Sequence, residues 1–312
     1  MPDVTIRPLS GPDDLSTFNQ LHYVLDGEYA DDLEHQRRRP EWMWLALLDD
    51  RLVARAAWWG PAGAATPRLL DVLDVDPVAP DRHQVAVDLV RTALAAMGLT
   101  GSLPEYGRYL PAGWHDDPEQ TRAVTDRTTV IERLGGQLLV ERLRLQWGPD
   151  ANPPPDRGRL TFRPPTDRGE LLDLLTQVLE GTLDEHSRDK LRTNSPRDVA
   201  TDQLDEEFPS YRGPRDWWAI GCLPHGEAVG FVIPTRNDYS WIIAYIGVLP
   251  DHRGHRYIDD LLDYGTRVLT GAGAQTVKAC TDRGNTPMAA AFHRRGYPTA
   301  GEEINYSFPR SS

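Results

Sequence analysis

The sequence predicts an α/β protein (mixed-sheet α+β) made of two tandem domains, each with a mostly antiparallel sheet flanked by helices. Two observations lead to this prediction. The chain has 312 residues, enough for two domains of ordinary size. Its second half also repeats, in the same order, the patterns of the first half. A segment containing three consecutive prolines separates the halves, so we predict domains at 1–147 and 159–312 joined by an extended linker at 148–158.

The repeat begins with a strand. Residues 4–8 and 160–164 both alternate apolar and polar side chains and share an Arg-Pro ending, which is typical of a half-buried strand. Residues 42–54 and 217–232 then both read as strand, turn and strand. A third apolar strand follows at 69–75 and 241–248, and an amphipathic helix comes after each of these strands.

The repeat ends with a helix and a last strand. Gly135 and Gly296 occupy equivalent positions at the predicted ends of two helices, where glycine supplies the left-handed C-cap. The last strands are predicted at 138–147 and 302–308. Several matches in one order indicate a duplicated domain more strongly than any single match does.

Composition limits the function. The formal net charge of −13 disfavours nucleic-acid binding, which requires a basic face. An acidic surface favours cationic substrates such as amines, although solubility alone is an alternative reason for the charge. No apolar run is long enough to cross a membrane, and the N-terminus does not resemble a signal peptide. We therefore expect a cytoplasmic protein. Its residue usage resembles that of a GC-rich bacterial genome, and Cys222 and Cys280 form no metal-binding pattern.

The most informative segment is 247–258, where a strand ends at a proline turn and a glycine-containing loop opens a helix. Free backbone N–H groups and the positive end of a helix dipole suit a diphosphate. The requirement falls on the backbone, so the side chains in such a loop can vary. An ordinary strand-to-helix connection is the alternative.

In this segment the chain resembles the GNAT superfamily of acyl-CoA N-acyltransferases, in a tandem two-domain form. That family has a valine-rich strand, a proline, an Arg-Gly-rich loop, a leucine-rich helix, and later an asparagine and a Gly-aromatic pair. The matching residues are Val248, Pro250, Arg253, Gly254, Leu261, Leu262, Asn285, Gly296 and Tyr297. The resemblance covers most of 159–308 and is weaker over 3–147.

The resemblance implies a site for acetyl-CoA or coenzyme A in the second domain. The residues that it assigns to the cofactor are Val248, Arg253, Gly254, His255, Arg256, Tyr257, Ile258 and Asn285. Backbone groups near Val248 would pair with the pantetheine arm, and the loop amides would hold the diphosphate. Asn285 would orient the cofactor, although an asparagine before Thr-Pro is also a good helix N-cap.

Three positions depart from the family pattern. Asp251 replaces a usual Gln or Arg, and Arg256 replaces the usual second glycine. Phe292 stands where the family often has its tyrosine general acid. The leaving thiolate could therefore be protonated by another tyrosine or by water. The candidate tyrosines are chiefly Tyr297 and Tyr245, with Tyr257 and Tyr306 behind them, and each could instead be a packing aromatic.

The base is equally open, because amine acylation needs a group that removes a proton. Glu180 is a candidate catalytic residue, and Asp184, Glu185 and His186 follow it in the segment that shapes acceptor pockets in this family. A solvated charged face is the alternative interpretation. The equivalent loop of the first domain, residues 77–83, has no glycine and two prolines. We therefore expect a degenerate first domain with a structural or acceptor-pocket role.

The predicted function is acyl transfer, most simply acetyl transfer, from acetyl-CoA to a primary amine of a small molecule or peptide. A non-catalytic acyl-CoA-binding sensor or a structural tandem module is the alternative. An aminoacyl or thiol-conjugating transferase on the same scaffold is a third. No nucleic-acid, membrane or metal partner is expected, and a monomer and a homodimer are both compatible with the sequence.

Overall fold

The computed structural model describes residues 4–99, 103–148 and 150–309, so Pro149 of the predicted linker lies outside the described residues. The chain forms two compact units, one of residues 1–139 and 303–312 and one of residues 140–302. These units differ from the predicted division in one respect. The first unit includes residues from 303 onward, which were assigned to the second domain. The second unit includes residues 140–147, which were assigned to the first domain.

The described residues of the first unit form strands β1 to β5 and helices α1 to α4. Its strands are β1 Val4–Pro8, β2 Met43–Leu48, β3 Arg51–Trp59, β4 Leu69–Val75 and β5 Glu105–Leu110. Its helices are α1 Leu15–Phe18, α2 Tyr29–Glu34, α3 Arg82–Ala96 and α4 Pro118–Arg133. The strand order is β1-β2-β3-β4-β5, and β5 is followed by the part of β12 (Thr299–Ser307) from residue 303 onward.

The second unit has the same plan. Its strands are β6 Gln137–Trp147 from residue 140 onward, β7 Thr161–Arg163, β8 Ala219–Cys222, β9 Ala228–Arg236, β10 Trp241–Val248 and β11 Val277–Asp282. Its helices are α5 Arg168–Val178, α6 Glu185–Leu191, α7 Pro196–Asp202, α8 Tyr257–Gly271 and α9 Thr286–Arg294. The strand order is β6-β11-β10-β9-β8-β7.

Short helical turns connect these elements. Turns of 3-10 helix lie at Pro12–Asp14, Pro40–Trp42, Trp114–Asp116, Phe208–Ser210, Arg215–Trp217 and Pro250–His252, and a π-helical turn covers Gln203–Glu207. No helix among the described residues is long and apolar enough to cross a membrane.

Each sheet is covered on both faces, as predicted. In the first unit, α3 side chains such as Leu89 and Val90 join one core, and Phe18 and Tyr29 join another with Val72 of β4. In the second unit, Leu261 of α8 belongs to one core and Leu175 of α5 to the other. The predicted mixed-sheet fold with flanking helices is therefore confirmed.

The duplication extends to backbone details. β4 carries an extra residue at Asp71, where its register with β3 shifts, and β10 carries one at Ala244 against β9. Such bulges twist and redirect a strand locally. The N-caps of the following helices, Asp81 and Arg256, both have a left-handed backbone, with φ of 50° and 61°.

Strand β6 explains why the predicted boundary at 147 differs from the compact units. Its residues 142–147 pair antiparallel with β11 over six consecutive positions, from Arg142↔Asp282 to Trp147↔Val277. Leu145 and Trp147 are buried in the core of the second unit. Apolar periodicity locates a strand, but it does not state which distant strand becomes its partner.

Candidate functional site

The site lies where two parallel strands of the second unit diverge. Among the described residues, β10 and β11 pair only at Ile242↔Lys278. Beyond the bulge at Ala244, β10 keeps its partner β9 as far as Val248↔Gly230. The two parallel strands therefore separate toward their carboxyl ends, which leaves one side of β10 without a strand partner.

The backbone of β10 offers hydrogen-bonding groups on that side. The Leu249 N–H donates to the Val229 carbonyl at 2.9 Å. Because pairing alternates along an antiparallel ladder, the backbone groups of Ile246 and Val248 point away from β9 and toward the divergence. The Val248 carbonyl accepts there from Arg253 Nε at 3.2 Å, so the Val248 N–H and the Ile246 groups are the ones that face the divergence without this partner. This is the position at which the pantetheine arm was expected to pair near Val248.

The loop after β10 presents unpartnered amides. In the part of the chain that the structure describes, the N–H groups from Gly254 to Ile258 donate to no acceptor. Gly254 has φ of +87° and Arg256 has φ of +61°, and such left-handed residues turn successive amides toward one side. The positive end of the fifteen-residue helix α8 adds to the field at these amides. Backbone, rather than side chains, therefore presents the hydrogen-bond donors here, an arrangement that suits an anion.

The Arg256 side chain does not obstruct the loop. It is exposed to solvent and makes no hydrogen bond among the described residues. His255 is also exposed and stacks on Tyr257, with ring centroids 5.7 Å apart. Ile258 is half-buried at the start of α8. A diphosphate fits this surface of backbone amides, which the Arg256 side chain leaves open.

Arg253 serves a different purpose from its neighbours. Its guanidinium donates to three backbone carbonyls: Val248 at 3.2 Å, Glu180 at 2.8 Å and Val178 at 3.0 Å. The side chain thus ties the loop to the end of α5 and to the segment that leads into α6. Its backbone amide donates to the Pro250 carbonyl, so the first free amide of the loop is that of Gly254.

Asn285 is the N-cap of α9. Its side-chain oxygen accepts from the Met288 N–H at 3.3 Å, and Pro287 lies in the first turn. Its own N–H donates to the Asp282 carbonyl. The capping alternative is therefore observed, and a cofactor contact by the same residue stays a prediction.

The two leading tyrosines lie in different surroundings. Tyr297 is fully buried in the core beneath α8, and its hydroxyl is hydrogen-bonded to Thr266 at 2.6 Å. That position favours a packing role. Tyr245 follows the bulge of β10 and packs on Phe231 at 5.5 Å between ring centroids. Burial, followed by the charges of Asp184 and Glu207, raises the pKa of Tyr245, so its hydroxyl keeps a proton at neutral pH.

The acidic candidates lie in the segment between α5 and α6. Glu180 is exposed, and its backbone carbonyl rather than its carboxylate is bonded to Arg253. Asp184 caps α6 through the Ser187 N–H at 2.8 Å. Burial opposes its ionisation, but the charge of Arg142 and the bonds from Ser187 hold the pKa of Asp184 below its usual value. Its carboxylate is therefore ionised at neutral pH.

Asp282 is a residue that sequence reasoning missed. It ends β11 and accepts from the Glu185 N–H at 2.6 Å and from Arg142 Nε at 3.1 Å. Burial raises its pKa, and the charge of Asp184 acts in the same direction. Arg142 Nη2 also lies 3.8 Å from Asp184 Oδ1, so one guanidinium contacts two carboxylates. The sequence signal that could have pointed to Asp282 is an acidic residue at the carboxyl end of an apolar strand.

The equivalent divergence in the first unit is filled by an arginine. Strands β4 and β5 pair only at Leu69↔Glu105 and Leu70↔Tyr106 among the described residues. Beyond these pairs the Leu73 carbonyl faces the divergence, and Arg127 Nε of α4 donates to it at 3.0 Å. The loop that follows contains Pro77 and Pro80, which have no N–H. The geometry therefore supports a first unit without an acyl-CoA site.

Comparisons with known proteins agree with this geometry. Residues 181–297 match the family model described as Acetyltransferase (GNAT) family. No curated protein sequence matches the chain. A GCN5-related N-acetyltransferase from Sphaerobacter thermophilus has the same fold, with a TM-score of 0.60 and 16% identity, over 98% of this chain and 96% of that one.

Two further solved structures have a similar fold. A tandem GNAT protein from the clavulanic acid biosynthesis pathway gives a TM-score of 0.50 at 14% identity, over 99% of this chain and 100% of that one. A GCN5-related glucosamine N-acetyltransferase region of a fungal multi-domain GH3 β-N-acetylglucosaminidase gives 0.56 at 14% identity. That match covers 98% of this chain and 38% of the fungal chain.

The fold is therefore that of GNAT acetyltransferases, including a tandem form. The chain carries a GNAT-family acetyltransferase domain at residues 181–297. The family resemblance inferred from the loop is thus confirmed. This fold supports acyl-CoA-dependent acyl transfer in general.

Proposed function

We propose that the protein transfers an acyl group, most simply acetyl, from acetyl-CoA to a primary amine of a small molecule or peptide. The observation that carries this proposal is the row of unpartnered amides from Gly254 to Ile258 beside a strand with one free edge. The diphosphate of coenzyme A matches the row of amides. Its pantetheine arm, which contains amide groups, matches the free edge of the strand. The first unit, with its arginine-filled divergence, is proposed to bind no acyl-CoA.

The residues around the divergence have the properties that the reaction needs. A bound acyl-CoA supplies an activated thioester, so positioning accounts for much of the rate. The ionised Asp184 and the overall net charge of −13 favour a cationic acceptor. We propose the pair Asp184 and Asp282 as the proton acceptor for the amine, with Glu180 as an alternative, and Tyr245 as the proton donor to the leaving thiolate.

A turnover assay distinguishes the enzyme from a non-catalytic sensor. Thiol release from acetyl-CoA is measured with small amines, polyamines, amino acids and peptides, and with hydroxyl analogues of the same acceptors as controls. We expect release that depends on an amine. Coenzyme A binding without release for any amine would favour the sensor. The cytoplasmic location, the bacterial source and the monomeric or homodimeric state stay predictions.

Replacing Tyr245 with phenylalanine tests the proposed proton donor. Loss of a general acid lowers rates by about 10²–10⁴-fold, so we expect kcat to fall by about 10²-fold while the coenzyme A affinity is retained. The matched variant is Tyr297→Phe, which removes the hydroxyl bonded to Thr266. It should cost about 1 kcal/mol of stability and leave kcat near that of the wild type. The opposite pattern would assign the donor role to Tyr297.

A further inference from the structure

The amide-presenting loop is held from behind by a residue of the preceding segment. Arg159 lies just before β7 and is exposed. It donates through Nη1 to the His255 carbonyl at 3.2 Å and through Nη2 to the Arg256 carbonyl at 3.0 Å. One guanidinium therefore bonds two consecutive carbonyls of the loop, on the side opposite to the free amides.

The Arg159 side chain is itself fixed. It forms an ion pair with Asp260 of α8, with Nε at 3.2 Å from Oδ1 and Nη2 against Oδ2. The guanidinium also lies over the Tyr257 ring, 5.4 Å from its centroid. Asp260 is buried and Tyr257 is half-buried in the first turn of α8, so Arg159 links the loop to the helix that follows it.

The residue that needs this support is Arg256. It adopts a left-handed backbone with φ of +61°, at the position where a glycine was expected from the family pattern. A residue with a Cβ is strained in that conformation, whereas glycine adopts it almost freely. The bond from Arg159 to the Arg256 carbonyl holds the strained conformation, and with it the direction of the amides of Tyr257 and Ile258.

We propose that Arg159 is a positioning residue for the cofactor diphosphate, and that it replaces the conformational freedom of the missing glycine at 256. This inference rests on the proposed function, because Arg159 can position a diphosphate only if the loop binds coenzyme A. Among the described residues, the Arg159 side chain bonds Asp260 and the two loop carbonyls, so its effect should fall on the cofactor.

The test is a rescue experiment on coenzyme A affinity, measured by calorimetry with the full-length protein. Arg159→Ala should weaken binding by about ten-fold or more, which corresponds to the strain energy of the left-handed arginine. Arg159→Ala combined with Arg256→Gly should recover an affinity within about three-fold of the wild type, because glycine needs no support at this φ. KM for the acceptor should not change in either variant.

Arg157→Ala is the matched control. Arg157 lies two residues earlier and pairs with another buried carboxylate of α8, with Nε at 3.2 Å from Asp263. The hydrogen bonds to the loop carbonyls come from Arg159 instead. Loss of the Arg157 side chain should leave the coenzyme A affinity within about two-fold. Because a glycine at 256 also relieves strain in the unliganded protein, denaturant unfolding of each variant is measured beside its affinity. A loss of affinity in an Arg159→Ala protein that remains folded then separates positioning from folding.

The possible results distinguish this inference from the proposed function. A wild-type protein that binds no coenzyme A overturns both. Binding by the wild type with an unchanged affinity in Arg159→Ala overturns only the role of Arg159. A double variant that binds no better than Arg159→Ala shows that the left-handed Arg256 is not what Arg159 supports, and it also overturns the inference.

Discussion

Replacing Gly254 with proline is expected to reduce coenzyme A affinity by at least about 10²-fold. Gly254 has φ of +87°, whereas proline fixes φ near −65° and removes the N–H. The substitution therefore deletes the first amide of the loop and turns the next ones away from a diphosphate. Open space surrounds the position at which a Cβ would lie, so the effect should come from the backbone and not from a clash.

Two variants control this experiment. Gly254→Ala keeps the N–H and fits sterically, so only the strain of a left-handed alanine remains, and we expect about a ten-fold loss of affinity. Gly226→Pro places the same change at another left-handed glycine, with φ of +94°, in the turn between β8 and β9. Gly226→Pro should lower the free energy of unfolding and leave the coenzyme A affinity unchanged. Equal affinities in Gly254→Pro and the wild type would refute the loop assignment.

Replacing Asp74 with alanine is expected to destabilise the first unit by about 3–5 kcal/mol, as for other buried ion pairs that lose one partner. Asp74 is buried on β4 and accepts from Arg55 at 2.9 Å, from Arg108 at 2.8 Å and from Arg127 at 2.8 Å. Without the carboxylate, three guanidinium groups lose a shared counter-charge. Arg127 is also the side chain that fills the divergence between β4 and β5.

The measurement is denaturant unfolding, with hydrogen exchange to assign the loss to residues 4–139. Asp14→Ala is the control, because the Arg7–Asp14 ion pair is partly exposed and such pairs contribute about 0–1 kcal/mol. Equal losses in the two variants would contradict the buried role of Asp74.

The same carboxylate sets a pH dependence. Burial opposes the ionisation of Asp74, but the charges of Arg108, Arg127 and Arg55 outweigh it and lower its pKa. A group with a lowered folded pKa stabilises the protein above its unfolded pKa and loses that contribution as the pH falls through the folded value. Because the folded pKa lies below the ordinary value of 3.8, this stabilisation persists through mildly acidic pH and disappears only in strong acid.

The sequence predicted most of the fold because the duplication fixed the order of elements. The strand predicted at 241–248 is β10, and the amphipathic helix predicted after it is α8. Gly135 and Gly296 have φ of 91° and 82°, as expected after helix ends. The partners of the last strands were not predictable, because β6 pairs with residues more than a hundred positions away and local periodicity contains no such information.

Only part of the candidate site depends on local sequence. The loop around Gly254 was predicted from a strand end, a glycine and a helix start, and the structure has these elements in that order. Its role in cofactor binding stays a prediction. Arg159 and Arg127 could not be located, since each acts on backbone that is distant in sequence. Sequence reasoning also could not separate Tyr245 from Tyr297, because both are aromatic residues near apolar segments and only the packing shows which hydroxyl is enclosed.

The most direct measurement compares coenzyme A with pantetheine by calorimetry on the wild-type protein. If the amides from Gly254 to Ile258 hold a diphosphate, coenzyme A should bind at micromolar concentration and pantetheine, which has no diphosphate, at least about 10²-fold more weakly. Equal affinities, or no binding of coenzyme A at millimolar concentration, would contradict a cofactor site in this loop.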